Sequence, residues 1–432
     1  MKILIVNTSD IQGGAARAAY RLHKALLAQG VDSQMLVQSK SSDDFKVIGP
    51  QTKFQKAMGK MRPTLDSIPV RRYKERTKTL FSPSWVPLAG LVDKINALNP
   101  DVVHLHWIAG GMMRIEDLAK INAPIVWSLH DMWAFTGGCH YDEECAGFQK
   151  QCGACPVLGS NKDKDLSRKV WLRKQACFAR LPNMTIIGLS KWLADCAASS
   201  SLFRNNPVVN LPNPIDTQIF APFEQAEARK LFNLPQDKKL ILFGAMGATS
   251  DPRKGFKELA LALDHLPADY ELVVFGSSAP KTPQGFKQKA HYLGQLHDDV
   301  SLRVLYSAAD VMVVPSLQEN LSNAIMESLG CGTPVVGFAI GGNADLIDHQ
   351  KTGYLANPFD TQDLANGINW VLQHDNPEQL AQAAREKVSR EFDSKVVAGK
   401  YIELYEGVVR CELSPGLVVC VVRSIIHNSN RF

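Results

Sequence analysis

Short apolar runs alternate with helical periods along almost the whole chain. Residues 3–7 form a run of apolar and β-branched residues, and 13–29 carry apolar positions at helical spacing. Residues 33–38, 102–106, 125–130 and 185–190 repeat the short run, and a helix is predicted from Lys191. The second half restarts the pattern at 239–243, 256–266, 271–275, 307–309 and 311–315. It continues through 334–338, a segment around Gly353-Tyr354, and a helix from 361 to about 374. Runs this short that lack polar alternation are strands buried on both faces, as in a parallel sheet. Strands that alternate with helices predict an α/β fold with parallel sheets.

Two such runs, each about 200 residues long, predict two Rossmann-like domains. The break is placed at Leu211-Pro212-Asn213-Pro214-Ile215-Asp216, where two prolines interrupt the pattern. The expected division is 1–212, with a cysteine-rich loop at 139–155, then 213–393. A helix over 394–412 is expected to cross back to the first domain, followed by a tail at 413–432. Open parallel sheets bind ligands beyond the carboxyl ends of their strands. The residues able to do chemistry gather there: Gly13-Gly14, His104, His106, His130, Ser190, Lys254 and the segment 316–327.

That last segment is the most informative. Glu319 and Glu327 stand eight residues apart where a strand passes through a loop into a helix. At 3.6 residues per turn Glu327 comes near the same face as Glu319. A helix N-terminus attracts diphosphates, and carboxylates beside it can accept hydrogen bonds from sugar and ribose hydroxyls. Arg253 and Lys254 precede another helix, where they could neutralise a diphosphate; the plain alternative is surface charge. Gly13-Gly14 lets a backbone approach a ligand or makes an ordinary turn. No G-x-G-x-x-G fingerprint is present. His130 ends a strand and could hydrogen-bond a sugar hydroxyl. His104 and His106 read as packing, and Asp131 as a partner for backbone amides. Asp345, after Gly341-Gly342, reads as a sugar contact or a helix cap.

Cys139, Cys145, Cys152 and Cys155 are spaced C-x5-C-x6-C-x2-C in a glycine-rich stretch. Four thiolates on one structural zinc would hold such a loop, with His140 and His291 as substitute ligands; no catalytic metal is expected. The other cysteines read as core or incidental residues.

Composition adds limits. The chain is 45% hydrophobic and 21% charged, a globular balance, and its net charge of +5 is too small to argue for nucleic acid. The charge is uneven, however. Lys53, Lys56, Lys60, Arg62, Arg71, Arg72, Lys74, Arg76 and Lys78 face only Asp66 and Glu75. That interval reads either as a solvated loop and helix or as a patch for an anionic membrane or a lipid-linked substrate. The first six residues are too short for a signal sequence, and no run reaches the roughly 18 apolar residues of a membrane span. The expected location is the cytoplasm, peripheral to the inner face of the cytoplasmic membrane, with reduced cysteines.

The stretch Pro315 to Val336, with Leu211 to Asp216 and Arg253-Lys254-Gly255-Phe256, resembles glycosyltransferase family 4. Residues 130–141 are similar to members found in bacterial exopolysaccharide, capsule and colanic-acid-type clusters. The resemblance implies a retaining enzyme of GT-B architecture, with two Rossmann-like domains whose parallel sheets face across a cleft. It implies a nucleotide-sugar donor and a saccharide acceptor, lipid-linked in surface polysaccharide or lipopolysaccharide synthesis. It assigns Glu319 to the donor sugar, with the amides of Asn320 and Leu321 nearby, and Glu327 to the ribose. Lys254 and Arg253 would meet the diphosphate, His130 the donor sugar or the acceptor side, and Gly13-Gly14 the diphosphate or acceptor. Two positions depart from the family: Thr249 stands where an arginine is common, and Asp345 where a glutamate is. Rival readings are a sugar-nucleotide 2-epimerase, a non-catalytic assembly factor of a polysaccharide complex, and a glycosidase.

Overall fold

The structure, a computed structural model, describes residues 1–244, 247, 251–277, 285–296 and 298–413, without the side chains of 411–413. Thr249, Cys420 and the tail from 414 lie outside the described residues, as does the side chain of Cys411. Contacts divide the chain into two units: Met1–Asn213 with the chain from Val397, and Pro214–Val396.

The first unit holds one parallel sheet of β1 (Lys2–Ser9), β2 (Asp32–Ser39), β3 (Val47–Ile48), β4 (Val102–Leu105), β5 (Ile125–Leu129), β6 (Thr185–Gly188) and β7 (Val208–Asn210). Their order is β3-β2-β1-β4-β5-β6-β7. The second holds β8 (Leu240–Gly244), β9 (Glu271–Phe275), β10 (Lys289–Tyr292), β11 (Val311–Val314), β12 (Val335–Phe338) and β13 (Gly353–Ala356), ordered β10-β9-β8-β11-β12-β13 and also parallel. The short apolar runs became the central strands because both faces of the sheet are covered. Val103, Leu105 and Trp127 pack into one core, and Ile241, Phe243, Val311 and Val313 into the other. Residues 307–309, by contrast, end the helix Asp299–Ala308 and its cap.

Each sheet places its first strand in the middle. Connections therefore leave in opposite directions at β1/β4 and at β8/β11, and within each sheet a crevice opens at the carboxyl ends of that pair of strands. Helix α1 (Gly14–Ala28) follows β1, and helix α2 (Lys53–Asp66) follows β3. The last helix, Ser394–Leu413, groups with the first unit from Val397 onward. There Tyr405 and Tyr401, both fully buried, reach His104 and Ser128 in the sheet.

Candidate active site

The crevice of the second sheet is flanked by the loop after β8 and the loop after β11. Three local features shape the first loop. Asp251 accepts the Arg253 N–H, Pro252 opens a single 3₁₀ turn through Lys254, and Gly255 closes it at φ 72°. A side chain at Gly255 would collide with the Pro315 carbonyl oxygen, its Cβ only 1.8 Å away. Glycine is thus required twice, for its backbone and for the close approach. The approach is locked by the Leu317 N–H donating to the Arg253 carbonyl at 2.8 Å. Lys254 Nζ is thereby brought to 3.3 Å from Glu319 Oε2, which the Ser316 hydroxyl also meets at 3.4 Å.

Glu319 lies in the loop, and Glu327 lies one turn into the helix Asn323–Gly330. Glu327 is 3% exposed, and Tyr306 donates its hydroxyl to Oε2 at 2.8 Å. Asn320 and Leu321 are buried between the two glutamates. Arg253 is turned elsewhere: its guanidinium grips both Asp251 oxygens, at 3.1 and 2.7 Å, and holds that carboxyl below the usual range. The structure thus brings Lys254 to Glu319 but engages Arg253 with Asp251. A part-exposed pair such as Lys254–Glu319 is worth about 1 kcal/mol or less, so an incoming phosphate can compete for the lysine. Asp345 sits in the four-residue helix Asn343–Leu346, which has no side-chain cap.

In the first unit Gly13 caps α1 at φ 96°, and a Cβ there would meet nothing within 4 Å. Glycine is demanded at Gly13 by backbone conformation alone. Gly14 is the first residue of the helix. His130 follows β5, and its Nε2 lies 2.8 Å from Nδ1 of the buried His106. The His104 ring packs at a tilt against His106, centroids 4.3 Å apart, and bridges Tyr405 and Ser128. Burial drives all three imidazoles down, His104 to about 3, His130 to about 4 and His106 well below its ordinary value. All are neutral at pH 7. His106 Nε2 is buried without a partner among the described residues. An orphan N–H is the rarer and costlier defect, which assigns the proton to His106 Nδ1, donated to His130. The His130 proton then sits on its Nδ1.

Asp131 gathers more than backbone. Its carboxylate accepts the Trp133 N–H at 2.8 Å, Trp107 Nε1 at 2.9 Å and His140 Nδ1 at 2.7 Å. Burial pushes its pKa up, but His140 and these donors outweigh burial and hold it low. His140 Nε2 meets Ser82 Oγ at 2.9 Å, in the order of a serine–histidine–aspartate triad. Ser82 is 3% exposed and cannot reach a substrate, so the chain of bonds serves as a clamp on the cysteine loop. Lys174 is a second clamp that sequence reasoning missed. It is fully buried, donates to the carbonyls of Trp133 and Thr136, lies over the Trp133 ring, and is lowered by burial to about 7. Its signal was a lysine on the apolar stripe of Val170, Trp171, Cys177 and Phe178.

Within that loop Cys139, Cys152 and Cys155 are buried, and Cys145 is exposed. The Gly137 N–H donates to Cys152 Sγ at 3.1 Å, and the Gly147 N–H to Cys145 Sγ at 3.5 Å. Cys139 and Cys155 hydrogen-bond to each other, which raises the first thiol and lowers the second. Among the described residues no group of three or more His, Cys, Asp or Glu is arranged to hold a metal ion. No reaction step proposed for this protein passes through a metal. His140 is engaged by Asp131 and Ser82, and His291 by Glu271.

Two profiles match the chain: "Glycosyltransferase Family 4" over residues 12–219 and "Glycosyl transferases group 1" over 237–374. Among curated proteins, D-inositol 3-phosphate glycosyltransferase of Xylanimonas cellulosilytica is 31% identical over 211 residues, 45% of this chain and 50% of that one. The chain spans half or less of the length of the first curated relatives it matches. Among solved structures, sucrose-phosphate synthase of Thermosynechococcus elongatus superposes with a TM-score of 0.68 at 20% identity, covering 95% of this chain and 99% of that one. HepE of Anabaena, solved with UDP and glucose, gives 0.63 at 17% identity, covering 94% and 99%. The two matched regions together take in both units, and the GT-B fold carries through both: the chain belongs to glycosyltransferase family 4.

Proposed function

We propose that the chain is a retaining glycosyltransferase that moves a sugar from a nucleotide-sugar to a saccharide acceptor, lipid-linked and destined for a surface polysaccharide. One observation carries the reading: Lys254 and Glu319, from the two loops flanking the β8/β11 crevice, meet at 3.3 Å. A cation beside an acceptor-only carboxylate suits a ligand with a diphosphate at one end and hydroxyls at the other. Family membership and a relative solved with UDP and glucose agree with that choice of ligand.

In this reading Lys254, with Arg253, meets the diphosphate. Glu319 and the amides of Asn320 and Leu321 take the donor sugar, and Glu327, oriented by Tyr306, takes the ribose. As the anomeric bond breaks, negative charge grows on the leaving phosphate, where Lys254 and helix amides lower its energy. The acceptor hydroxyl attacks from the same face and passes its proton to that phosphate. No carboxylate becomes a covalent nucleophile, unlike the paired acids of retaining glycosidases. His130 meets the donor sugar or the acceptor and orients it through the proton on Nδ1. Gly13-Gly14 packs against the diphosphate or acceptor. A panel of nucleotide-sugars, scored for tight binding and for slow hydrolysis without acceptor, tests the reading. One or two donors should stand out. Recognition of none would end it, and conversion of the donor alone to an epimer would point to a 2-epimerase.

A further inference from the structure

Helix α2 is amphipathic the wrong way round. It begins on strong local signals: Thr52 Oγ accepts the Gln55 N–H, and Gln55 returns the bond to the Thr52 N–H. It is then held to the unit by polar side chains. Arg62 is 3% exposed and donates to the carbonyls of Gly111, Pro87 and Val86 at 2.6, 3.0 and 3.1 Å. Asp66, 2% exposed, accepts the N–H groups of Ser84 and Trp85. Gln38 donates to the Gly59 carbonyl. The docked face is therefore the one bearing Gly59, Arg62 and Asp66.

The apolar residues lie on another face. Phe54, Met58, Met61 and Leu65 recur at helical spacing, and Ile68 follows in the next turn. Phe54 is 74% exposed, Met61 53% and Ile68 44%. Lys53, Lys56, Lys60, Arg71, Arg72, Lys74, Arg76 and Lys78 are all exposed along the helix and the turn after it, against one exposed carboxylate, Glu75. The only other acid in the interval, Asp66, is the buried one. An outward apolar stripe about a quarter turn from the docked face, on a helix whose remaining exposed face carries cations, matches a surface of apolar chains beneath anionic headgroups. No described helix is long and apolar enough to cross a membrane, so the fit is to lying on one.

We propose that α2 and the turn after it dock the protein on an anionic phospholipid surface, with Phe54, Met61 and Ile68 entering the headgroup boundary. The inference draws its purpose from the lipid-linked acceptor proposed above. Its test needs no turnover, so either idea can fail alone.

The full chain is sedimented with vesicles of phosphatidylglycerol and phosphatidylethanolamine, and with vesicles of phosphatidylcholine. Binding to the anionic vesicles is expected, weakening as salt is raised, with little on phosphatidylcholine. Replacing Lys53, Lys56 and Lys60 together by Gln should lower partitioning about a hundredfold. Phe54→Ser with Met61→Ser should lower it at least tenfold without changing the melting temperature, since both side chains already face solvent. The proposal is overturned if the anionic vesicles do not bind the protein, or if both variants bind as the parent does. It is also overturned if the serine variant instead abolishes a self-association seen without lipid, because the stripe would then serve a second copy of the chain.

Discussion

Gly255→Ala should damage both the second unit and its donor site, whereas Gly90→Ala should cost backbone strain alone. The two glycines share almost the same left-handed backbone, φ 72° and 73°. A methyl group at Gly90 would meet nothing within 4 Å, so only the backbone penalty of about 1–2 kcal/mol applies. At Gly255 the methyl carbon would lie 1.8 Å from the Pro315 carbonyl oxygen. Such atoms settle no closer than about 3.3 Å, so the turn must retreat by about 1.5 Å. That retreat breaks the bond from Leu317 to the Arg253 carbonyl, worth about 1 kcal/mol. The sum is about 2–3 kcal/mol, and Lys254 moves away from Glu319. Misplacing a reacting group by about 1 Å can cost about a hundredfold in rate. Denaturant unfolding and calorimetric titration with the preferred nucleotide-sugar measure the two effects. The reasoning fails if Gly255→Ala is no less stable than Gly90→Ala, or binds donor as tightly as the parent.

The buried imidazoles predict an acid-sensitive first unit. His104 and His130 are lowered from about 6.5 to about 3 and about 4, so the unfolded chain takes up protons that the folded chain refuses. Their contribution is complete above pH 6.5 and is lost as pH falls toward about 4, at about 1.4 kcal/mol for each unit of depression. Unfolding at a series of pH values should show this slope, and His104→Gln should flatten it; an unchanged slope would contradict the assignment. For the cysteine loop, the zinc reading expects about one equivalent of metal per chain, lost when Cys152 and Cys155 become serine. Metal-free protein with all four thiols open to titration would remove zinc from consideration.

The parts of the fold legible in the sequence were those fixed by burial on both faces. β1, β4, β5, β8, β11 and β12 are nearly continuous apolar runs, and nothing else satisfies such a run. Of the four edge strands, only β13, at Gly353–Ala356, falls on a segment the pattern marked; the other three escaped notice. β3 has two residues, β7 three, and β10 reads Lys-Ala-His-Tyr, so sheet pairing decides them rather than local pattern.

At the site, the spacing of Glu319 and Glu327 and the position of Lys254 could be read, because loop and helix follow one another in sequence. The partner of Arg253 could not, since the cation stands equally close in sequence to Asp251 and to the diphosphate end proposed for the site. Nor could the roles of His106 and Lys174, which depend on contacts across 24 and 41 residues. The basic interval was visible as charge alone. Only the structure separates the buried Arg62 and Asp66 from the exposed lysines, and so turns a charge count into a face.

The most direct test is calorimetric titration of the preferred nucleotide-sugar into the parent protein and into Lys254→Ala and Glu319→Ala. Each variant should unfold like the parent yet bind at least about tenfold more weakly, with transfer nearly abolished. Parent-like affinity and turnover in either variant would mean that the donor is held somewhere other than the β8/β11 crevice.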